Sequence, residues 1–336
     1  MLILEKTNQT DFMNTGKLVI SLDFELMWGV RDKRTIENYG DAIIGARSIL
    51  EQMLQLFEKH KIRVTFATVG FLFHKNKIEL FENLPDLKPT YTNTNLSPYT
   101  DLNSFLEDNK EDDYFFGQSL IQKIKNSNLH EIATHTYCHY YCLEPGQNLA
   151  QFETDLNFAI KVAKKYDILL KSIVFPRNQY NNDYLEVCRK NGITSFRGAE
   201  NSRIYESANS KNQNLLKRAL RLLDTYINIT GYHCYQVTKN KESKLYDIPS
   251  SRFLRPYSEK LGFLEQLKFL RIKNAMTYAA KNNLVYHLWW HPHNFGRNCA
   301  KNIFMLEKIA SHFDYLNKKY KFKSVTMNDF SVNNGL

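Results

Sequence analysis

Asp23 and Glu25 are the first residues in the chain whose type and spacing indicate chemistry. They come directly after the apolar run Leu18 to Leu22. In an extended chain, residues two apart project to the same side, so both carboxylates can face one site. In parallel α/β architectures the carboxyl ends of the strands build the active site. A helix cap or a solvated turn is the structural alternative for these two acids.

His135 and His139 form the second group. They follow the β-like run Glu131 to Thr134 and are four residues apart. If the chain turns helically after Thr134, both imidazoles face one way and can share a metal ion. Such a pair carries little weight alone because it arises by chance. Together with a carboxylate from the first group, it predicts a two-histidine, one-carboxylate metal site with positions left open for water.

Two more apolar runs end in residues suited to such a site. Arg177, in Phe-Pro-Arg, can orient or tune a carboxylate through a bidentate contact, although a surface arginine is an equal alternative. His291 or His293, in Trp-Trp-His-Pro-His, can act as a general acid, because imidazole has a reference pKa of ~6.5. The two tryptophans before His291 are expected in the core or in a pocket wall. Four separate strand ends thus deliver catalytic residue types.

Strand-like and helix-like segments alternate along the whole chain, which predicts an α/β fold with parallel strands. Residues 83–113 and 200–251 interrupt the alternation. The first is polar with three prolines and is expected to be a long surface insertion. The second is expected to hold a helix over 214–227 and extra strands. The predicted strands are 18–24, 64–69, 131–134, 173–175, 194–196 and 284–290, and the predicted helices are 42–60, 148–166, 185–190, 261–280 and 302–315.

The net charge of +10 favours anionic partners such as phosphates, acidic glycans or lipid head groups. The basic residues are scattered and not interleaved with aromatic residues, so we expect no nucleic-acid binding. Nucleic-acid binding remains the alternative that would give a steep salt dependence and no metal requirement.

The five cysteines form no CxxC pair and predict a reducing compartment. Cys138 and Cys142 are four apart beside the histidines; we expect buried thiols, with a zinc knuckle as the alternative. We find no signal sequence and no window of the ~20 apolar residues that cross a bilayer. The chain is therefore expected to be cytoplasmic, with peripheral membrane contact still open.

These motifs resemble the polysaccharide deacetylase family, also called the NodB-homology or carbohydrate esterase 4 group. Leu-Asp-Phe-Glu at 22–25 resembles its first motif, and Thr-Phe-Ala-Thr-Val-Gly at 65–70 its second strand. His135-Thr-Tyr-Cys-His139 is similar to the His-[Ser/Thr]-x-x-His metal motif, the most specific of the set. The resemblance implies a distorted (β/α)7-type barrel with surface insertions, in a single domain over residues 1–336. It also implies a divalent metal, usually zinc, and hydrolysis of an acetyl group on a sugar.

The resemblance further implies roles for individual residues. Glu25, His135 and His139 would hold the metal, Asp23 would be the base, Arg177 would position it and His291 would be the acid. The roles of Asp23 and Glu25 could be exchanged, and so could those of His291 and His293. The expected substrate contacts are His293, Trp290, Asn294 and Arg197.

The chain departs from the family pattern in three places. Phe24 separates the two acids, Pro176 precedes Arg177, and no convincing fourth motif is present; Arg197 is a candidate to compensate. A sugar-binding barrel without turnover and an amidohydrolase acting on a non-sugar amide therefore stay open. The expected substrate is an acetylated sugar, N-acetyl in preference to O-acetyl. A cytoplasmic, basic protein favours a nucleotide- or lipid-linked precursor of a surface polysaccharide.

Overall fold

Ten strands form one mostly parallel sheet, which curls as a half-barrel. The computed structural model describes residues 12, 14–100, 102, 112–200, 202, 204–205 and 215–334. In sheet order the strands run β6-β7-β5-β4-β3-β2-β1-β9-β8, and β10 also pairs with β1. Among these pairs only β6 and β7 are antiparallel. The strands are β1 (Lys17–Phe24), β2 (Thr65–Thr68), β3 (Glu131–Thr134), β4 (Ser172–Ile173), β5 (Ser195–Phe196), β6 (Thr238–Lys239), β7 (Tyr246–Asp247), β8 (Arg252–Phe253), β9 (Val285–Trp290) and β10 (Lys323–Val325).

Helices lie between the strands and cover the outer face of the sheet. Short 3-10 turns at Leu26–Gly29, Pro176–Asn178 and Glu259–Leu264 follow β1, β4 and β8. The α-helices are α1 (Ile36–Lys59), α2 (Lys77–Phe81), α3 (Asp112–Phe115), α4 (Gln118–Asn126), α5 (Leu149–Lys164), α6 (Asn182–Lys190), α7 (Leu215–Asp224), α8 (Glu265–Lys281), α9 (Pro292–Phe295), α10 (Cys299–Tyr320) and α11 (Asp329–Asn334).

Strand β1 lies inside the sheet, with paired strands on both sides; it carries Asp23, and Glu25 directly follows its last residue. Its first half pairs with β10, its second half pairs with β2, and β9 runs along its other side. Because side chains alternate along a strand, Leu18, Ile20 and Leu22 pack under the helices, while Val19 belongs to an inner apolar cluster. Asp23 lies four residues after Val19, so its side chain points to the same inner face, at the carboxyl end of the strand.

The alternating α/β organisation and the parallel sheet are confirmed. Five of the six predicted strands agree with the observed ones within one residue at each end, and the strand observed at the run 173–175 begins one residue earlier and ends two residues earlier than predicted. Helix α4, strand β8 and strand β10 were not predicted. Among the described residues, no helix is both long enough and apolar enough to cross a bilayer.

The first insertion is more than a surface loop. Tyr91 and Leu96 are buried with Tyr141 in a small cluster. The Tyr91 hydroxyl accepts a hydrogen bond of 2.8 Å from the backbone N–H of Tyr141, two residues beyond His139. The insertion therefore supports the histidine loop. Residues 103–111 of this insertion and 206–214 of the second lie outside the described residues.

Candidate active site

Glu25, His135 and His139 meet at the carboxyl ends of β1 and β3. One ligand atom from each lies within 4.8 Å of the others, and all three side chains are buried. The Nε2 atoms of His135 and His139 are 3.3 and 3.0 Å from Glu25 Oε2. Two imidazole nitrogens and a carboxylate oxygen facing one point form the donor set of a catalytic metal site with open positions.

The outer nitrogens of both rings are held by other groups. His135 Nδ1 donates to the carbonyl of Val174 at 2.7 Å, and His139 Nδ1 lies 3.1 Å from the Tyr141 hydroxyl. A carbonyl can only accept, so the proton of neutral His135 is on Nδ1 and its Nε2 lone pair is free to bind a cation. Metal-binding histidines are normally oriented in this way. The residues present therefore fit a divalent metal ion.

The histidines are brought together by a loop rather than by the helical turn considered above. Thr136 and His139 have φ values of 65° and 62°, so two of the five residues in this segment have left-handed backbone. Asp155 on α5 stabilises this loop, since its carboxylate accepts the backbone N–H groups of Tyr137 and Cys138 at 2.7 and 3.0 Å. Burial raises the pKa of Asp155 to about 6. The two histidines are therefore brought together by left-handed backbone and by the buried Asp155 carboxylate, not by a helical turn.

Glu25 also depends on a neighbour without a side chain. A Cβ atom at Gly29 would lie 1.9 Å from the Glu25 carboxyl carbon. Any larger residue at position 29 would displace the carboxylate. Burial raises the pKa of Glu25, but His291, His135 and His139 outweigh this and hold the pKa well below the ordinary range.

Asp23 is held by Arg197, not by Arg177. The Arg197 guanidinium donates to both carboxylate oxygens, at 2.6 and 2.9 Å, and also to Ser21 Oγ and Asn178 Oδ1, each at 3.1 Å. It lies 4.3 Å above the Trp289 ring. Burial raises the pKa of Asp23, but Arg197 and two histidines outweigh it, so the pKa is lowered overall.

The prediction that Arg177 contacts the base is therefore wrong, because Arg197 makes that contact. Arg177 has a φ of 55° at a kink after β4 and forms ion pairs with Asp32 and Glu144. Its guanidinium stacks 4.1 Å from the Tyr141 ring and lines the rim of the site. Arg197, predicted as a substrate contact, is 1% exposed, and two of its nitrogens donate to Asp23.

His291 faces both acids. Its Nε2 is 3.7 Å from Asp23 Oδ2 and 3.7 Å from Glu25 Oε1. On the other side of the ring, Asn294 Nδ2 lies 3.1 Å from Nδ1, and the Tyr39 hydroxyl donates to Asn294 Oδ1 at 3.2 Å. Asn294, expected to touch substrate, is instead placed to orient His291.

Two more predicted substrate contacts are buried. His293 stacks on the His291 ring at 5.1 Å, and burial lowers its pKa to about 3. Trp290 is fully buried and stacks on Phe295. Because neighbouring strand residues point to opposite faces, Trp289 rather than Trp290 lines the cavity.

The metal-binding group, Asp23 and His291 line a cavity of about 180 Å³ at the carboxyl ends of the strands. A larger cavity, of about 610 Å³, lies where β10 begins and includes Lys59 and Arg63 but none of the residues above. Cys138 and Cys142 are buried free thiols, as expected. The cavity of the site is lined by Asp23, Glu25, Gly29, His135, His139, Arg177, Asn178, Arg197, Trp289 and His291.

Comparison with solved structures finds this fold in proteins of very low sequence identity. A putative polysaccharide deacetylase from Mycobacterium smegmatis is 12% identical, with a TM-score of 0.57 over 95% of this chain and 90% of that one. A probable polysaccharide deacetylase from Pseudomonas aeruginosa PAO1 is 12% identical, with a TM-score of 0.54 over 94% and 90%. A 4-alpha-glucanotransferase from Thermococcus litoralis is 10% identical, with a TM-score of 0.53 over 95% of this chain and 40% of that one.

The same fold therefore occurs in proteins named for different reactions, so the fold alone does not determine the chemistry. A comparison with curated proteins gave no match. The family model described as polysaccharide deacetylase matches residues 29–196. This range includes His135 and His139 but not Asp23, Glu25 or His291. The match spans half of the chain, and the fold supplies the missing residues at the same cavity. The chain belongs to the polysaccharide deacetylase family, whose name denotes hydrolytic removal of acetyl groups from sugars.

Proposed function

We propose that the protein hydrolyses an acetyl group, N-acetyl in preference to O-acetyl, on a sugar used in surface polysaccharide biosynthesis. One observation carries this proposal: the Glu25, His135 and His139 donor set lies beside a second carboxylate, Asp23, that has its own arginine partner. We also propose that residues 1–336 form a single domain of this kind, with insertions near 83–113 and 200–251.

Glu25, His135 and His139 would hold the metal, and their mixed nitrogen and oxygen donors favour zinc. When bound, such an ion supplies Lewis-acid polarisation of the acetyl carbonyl and a lowered pKa for water. The protein contributes two imidazoles whose Nε2 atoms face Glu25 and a buried carboxylate whose lowered pKa keeps it ionised.

Asp23 would take the proton of the attacking water. Its lowered pKa keeps it ionised at neutral pH, and two hydrogen bonds from Arg197 fix both oxygens. Arg197 is a positioning residue, since its contacts are with Asp23 and neighbouring side chains. The altered motif at Arg177 left open whether the base has an arginine partner, and Arg197 is such a partner. This contact argues against the alternative of a sugar-binding barrel without turnover.

His291 would protonate the departing amine or alcohol. Its Nε2 faces the space between Asp23 and Glu25, and Asn294 holds the far side of the ring. His293 is buried behind it with a pKa near 3, so it is a poor proton donor at neutral pH. The exposed fraction of the His291 side chain, 23%, leaves room for a leaving group to reach it.

The proposed substrate is an acetylated precursor linked to a nucleotide or lipid diphosphate in the cytoplasm. The net charge of +10 supports an anionic substrate. This assignment would be contradicted if the rate on a neutral oligosaccharide did not depend on salt concentration and phosphorylated donors were not hydrolysed.

Acetate release from a panel of acetylated sugars, before and after chelation, tests the reaction. We expect release that a chelator abolishes and that zinc restores. The Asp23→Asn variant serves as the inactive reference. Sugar binding without acetate release, or release only from a non-sugar amide, would overturn the proposal.

A further inference from the structure

His139 has a less definite partner than the other histidine of the site. The carbonyl of Val174, which holds His135, can only accept a hydrogen bond. The partner of His139 Nδ1 is the Tyr141 hydroxyl, at 3.1 Å, and a hydroxyl can either donate or accept. In a neutral imidazole, only an accepting hydroxyl keeps the proton on Nδ1 and leaves the Nε2 lone pair for a cation. The placement of the Tyr141 hydroxyl therefore matters for metal binding.

Arg177 holds the face of the Tyr141 ring. The guanidinium lies 4.1 Å from the ring centroid, which is within cation–π distance. Tyr141 is 3% exposed, and its ring meets the His139 ring edge to face, with 5.1 Å between the centroids. These contacts leave the buried phenol little freedom to swing its hydroxyl away from His139 Nδ1.

The first insertion holds the main chain of Tyr141. The Tyr91 hydroxyl accepts the backbone N–H of Tyr141 at 2.8 Å, and the centroids of the two rings are 6.1 Å apart. Tyr91 is itself 5% exposed, so this partner is fixed in the core of the insertion. Tyr141 is therefore restrained through its backbone as well as through its ring.

Two buried acids fix the guanidinium of Arg177 in turn. It forms ion pairs with Asp32 and, at 3.5 Å, with Glu144, whose side chains are 7% and 4% exposed. Gln179 ties Glu144 to the chain just beyond the histidine loop, since its amide donates to Glu144 at 3.0 Å and accepts the backbone N–H of Leu143 at 3.2 Å. Because two carboxylates already face this guanidinium, it is poorly suited to binding an anionic substrate and well suited to staying in place.

We infer, on the basis of the metal site proposed above, that Arg177 and Tyr141 are positioning residues for the metal ligand His139. The guanidinium holds the phenol, and the phenol hydroxyl accepts the Nδ1 proton of His139. Arg177 thus acts on the metal side of the cavity, whereas Arg197 acts on the base. Groups that orient a metal-binding histidine in this way normally strengthen metal binding without touching the ion.

Zinc affinity, measured on the folded protein by competition with a chromogenic chelator, tests the inner step. Tyr141→Phe removes only the hydroxyl, so His139 Nδ1 loses its acceptor. We expect the affinity to fall roughly 10- to 100-fold. The visible absorption spectrum of the cobalt-substituted protein should change as well, because the His139 ring is no longer held in one orientation.

Tyr140→Phe is the matched control. Tyr140 is fully buried, and its hydroxyl lies 2.8 Å from Gln147 Oε1 and 3.0 Å from the carbonyl oxygen of Asn148. This variant also removes a buried hydroxyl, but one that belongs to the start of α5 rather than to the metal site. Both variants should lose similar thermal stability without zinc, and the control should keep the zinc affinity and cobalt spectrum of the wild type.

Arg177→Lys tests the outer step. It keeps the positive charge but loses the planar guanidinium that stacks on Tyr141, so a change in zinc affinity reports position rather than charge. We expect a loss of roughly two- to fivefold, the worth of one cation–π contact. In the double variant Y141F/R177K the loss should be no greater than in Tyr141→Phe alone, because Arg177 acts through the hydroxyl.

Equal zinc affinity in Tyr141→Phe and Tyr140→Phe would overturn the inference, and so would fully additive losses in Y141F/R177K. A wild type that binds no zinc would refute the proposed metal site itself, and the role of the two positioning residues with it. The two kinds of failure are therefore told apart by the wild type alone.

Discussion

Asp23 and Glu25 line one cavity, the first at the end of β1 and the second directly after it, yet their surroundings differ in kind. Glu25 faces the Nε2 atoms of two histidines at 3.3 and 3.0 Å. Asp23 faces the guanidinium of Arg197, which has five donors and no lone pair to offer a cation. Imidazole nitrogens can bind the same ion as Glu25, whereas Arg197 can only hold a carboxylate. The difference supports Glu25 as the ligand and Asp23 as the base.

The largest expected effect is that of Glu25→Gln. Loss of the ligand carboxylate should lower zinc affinity by more than the ~10- to 100-fold typical of losing a group that only orients a metal ligand, and acetate release should fall with it. Competition with a chromogenic chelator measures the affinity. Wild-type affinity in this variant would break the assignment of Glu25.

Asp23→Asn should separate the two carboxylates. We expect roughly a 10²- to 10⁴-fold fall in kcat, because the base is lost, with zinc affinity close to that of the wild type. The same competition assay and acetate release measure both quantities. If zinc affinity falls as far as in the Glu25 variant, the roles are exchanged.

The two arginines provide a matched test. Arg197→Lys removes the bidentate contact that helps to lower the pKa of Asp23. The base must be ionised to act, so activity is lost as pH falls through its pKa, and this acidic limb should move to higher pH in the variant. Arg177→Lys should leave the limb in place. The pH dependence of kcat/KM measures it, and an equal shift in both variants would contradict the distinction.

Beneath Asp23, His287 should affect stability more than chemistry. It lies near Ser21 Oγ at 2.9 Å, and burial lowers its pKa to about 3. In the unfolded chain His287 binds a proton as the pH falls through about 6.5, whereas in the folded chain it stays neutral until about pH 3. The contribution of His287 to stability is therefore fully present above pH 6.5 and is lost as the pH falls below that value. This group should remove about 2 kcal/mol of unfolding free energy between pH 7 and 5. His287 Nδ1 also lies 3.1 Å from the carbonyl oxygen of Ile248. His287→Gln, which keeps a polar side chain but does not titrate, should flatten that slope in urea denaturation; an unchanged slope would exclude the effect.

The sequence predicted which segments carry the site because long apolar runs and motif spacing are local properties. The β3 bounds were predicted to the residue, and Glu25, His135 and His139 do lie together. Strands β8 (Arg-Phe) and β10 (Lys-Ser-Val) each contain a basic residue and only one apolar residue, so no apolar run marks them.

The partner of Asp23 could not be predicted with the same certainty. Arg177 and Arg197 each follow a short strand, and their choice of carboxylate depends on a backbone kink at 177 that sequence does not reveal. A signal existed for Asp155: an acid between Phe152 and Leu156 on the buried face of α5. A charge on an apolar face requires buried donors, which the histidine loop supplies.

The pairing of β1 has a consequence for biosynthesis. Asp23 lies on the first strand and Glu25 directly follows it, but two of the strands that flank β1, β9 and β10, come from near the other end of the chain. On the ribosome, β1 must wait for residue 325 before all its neighbours exist. A nascent chain therefore carries a long apolar strand that has only its β2 partner for most of its synthesis, which leaves an exposed strand edge that is prone to aggregation during that interval.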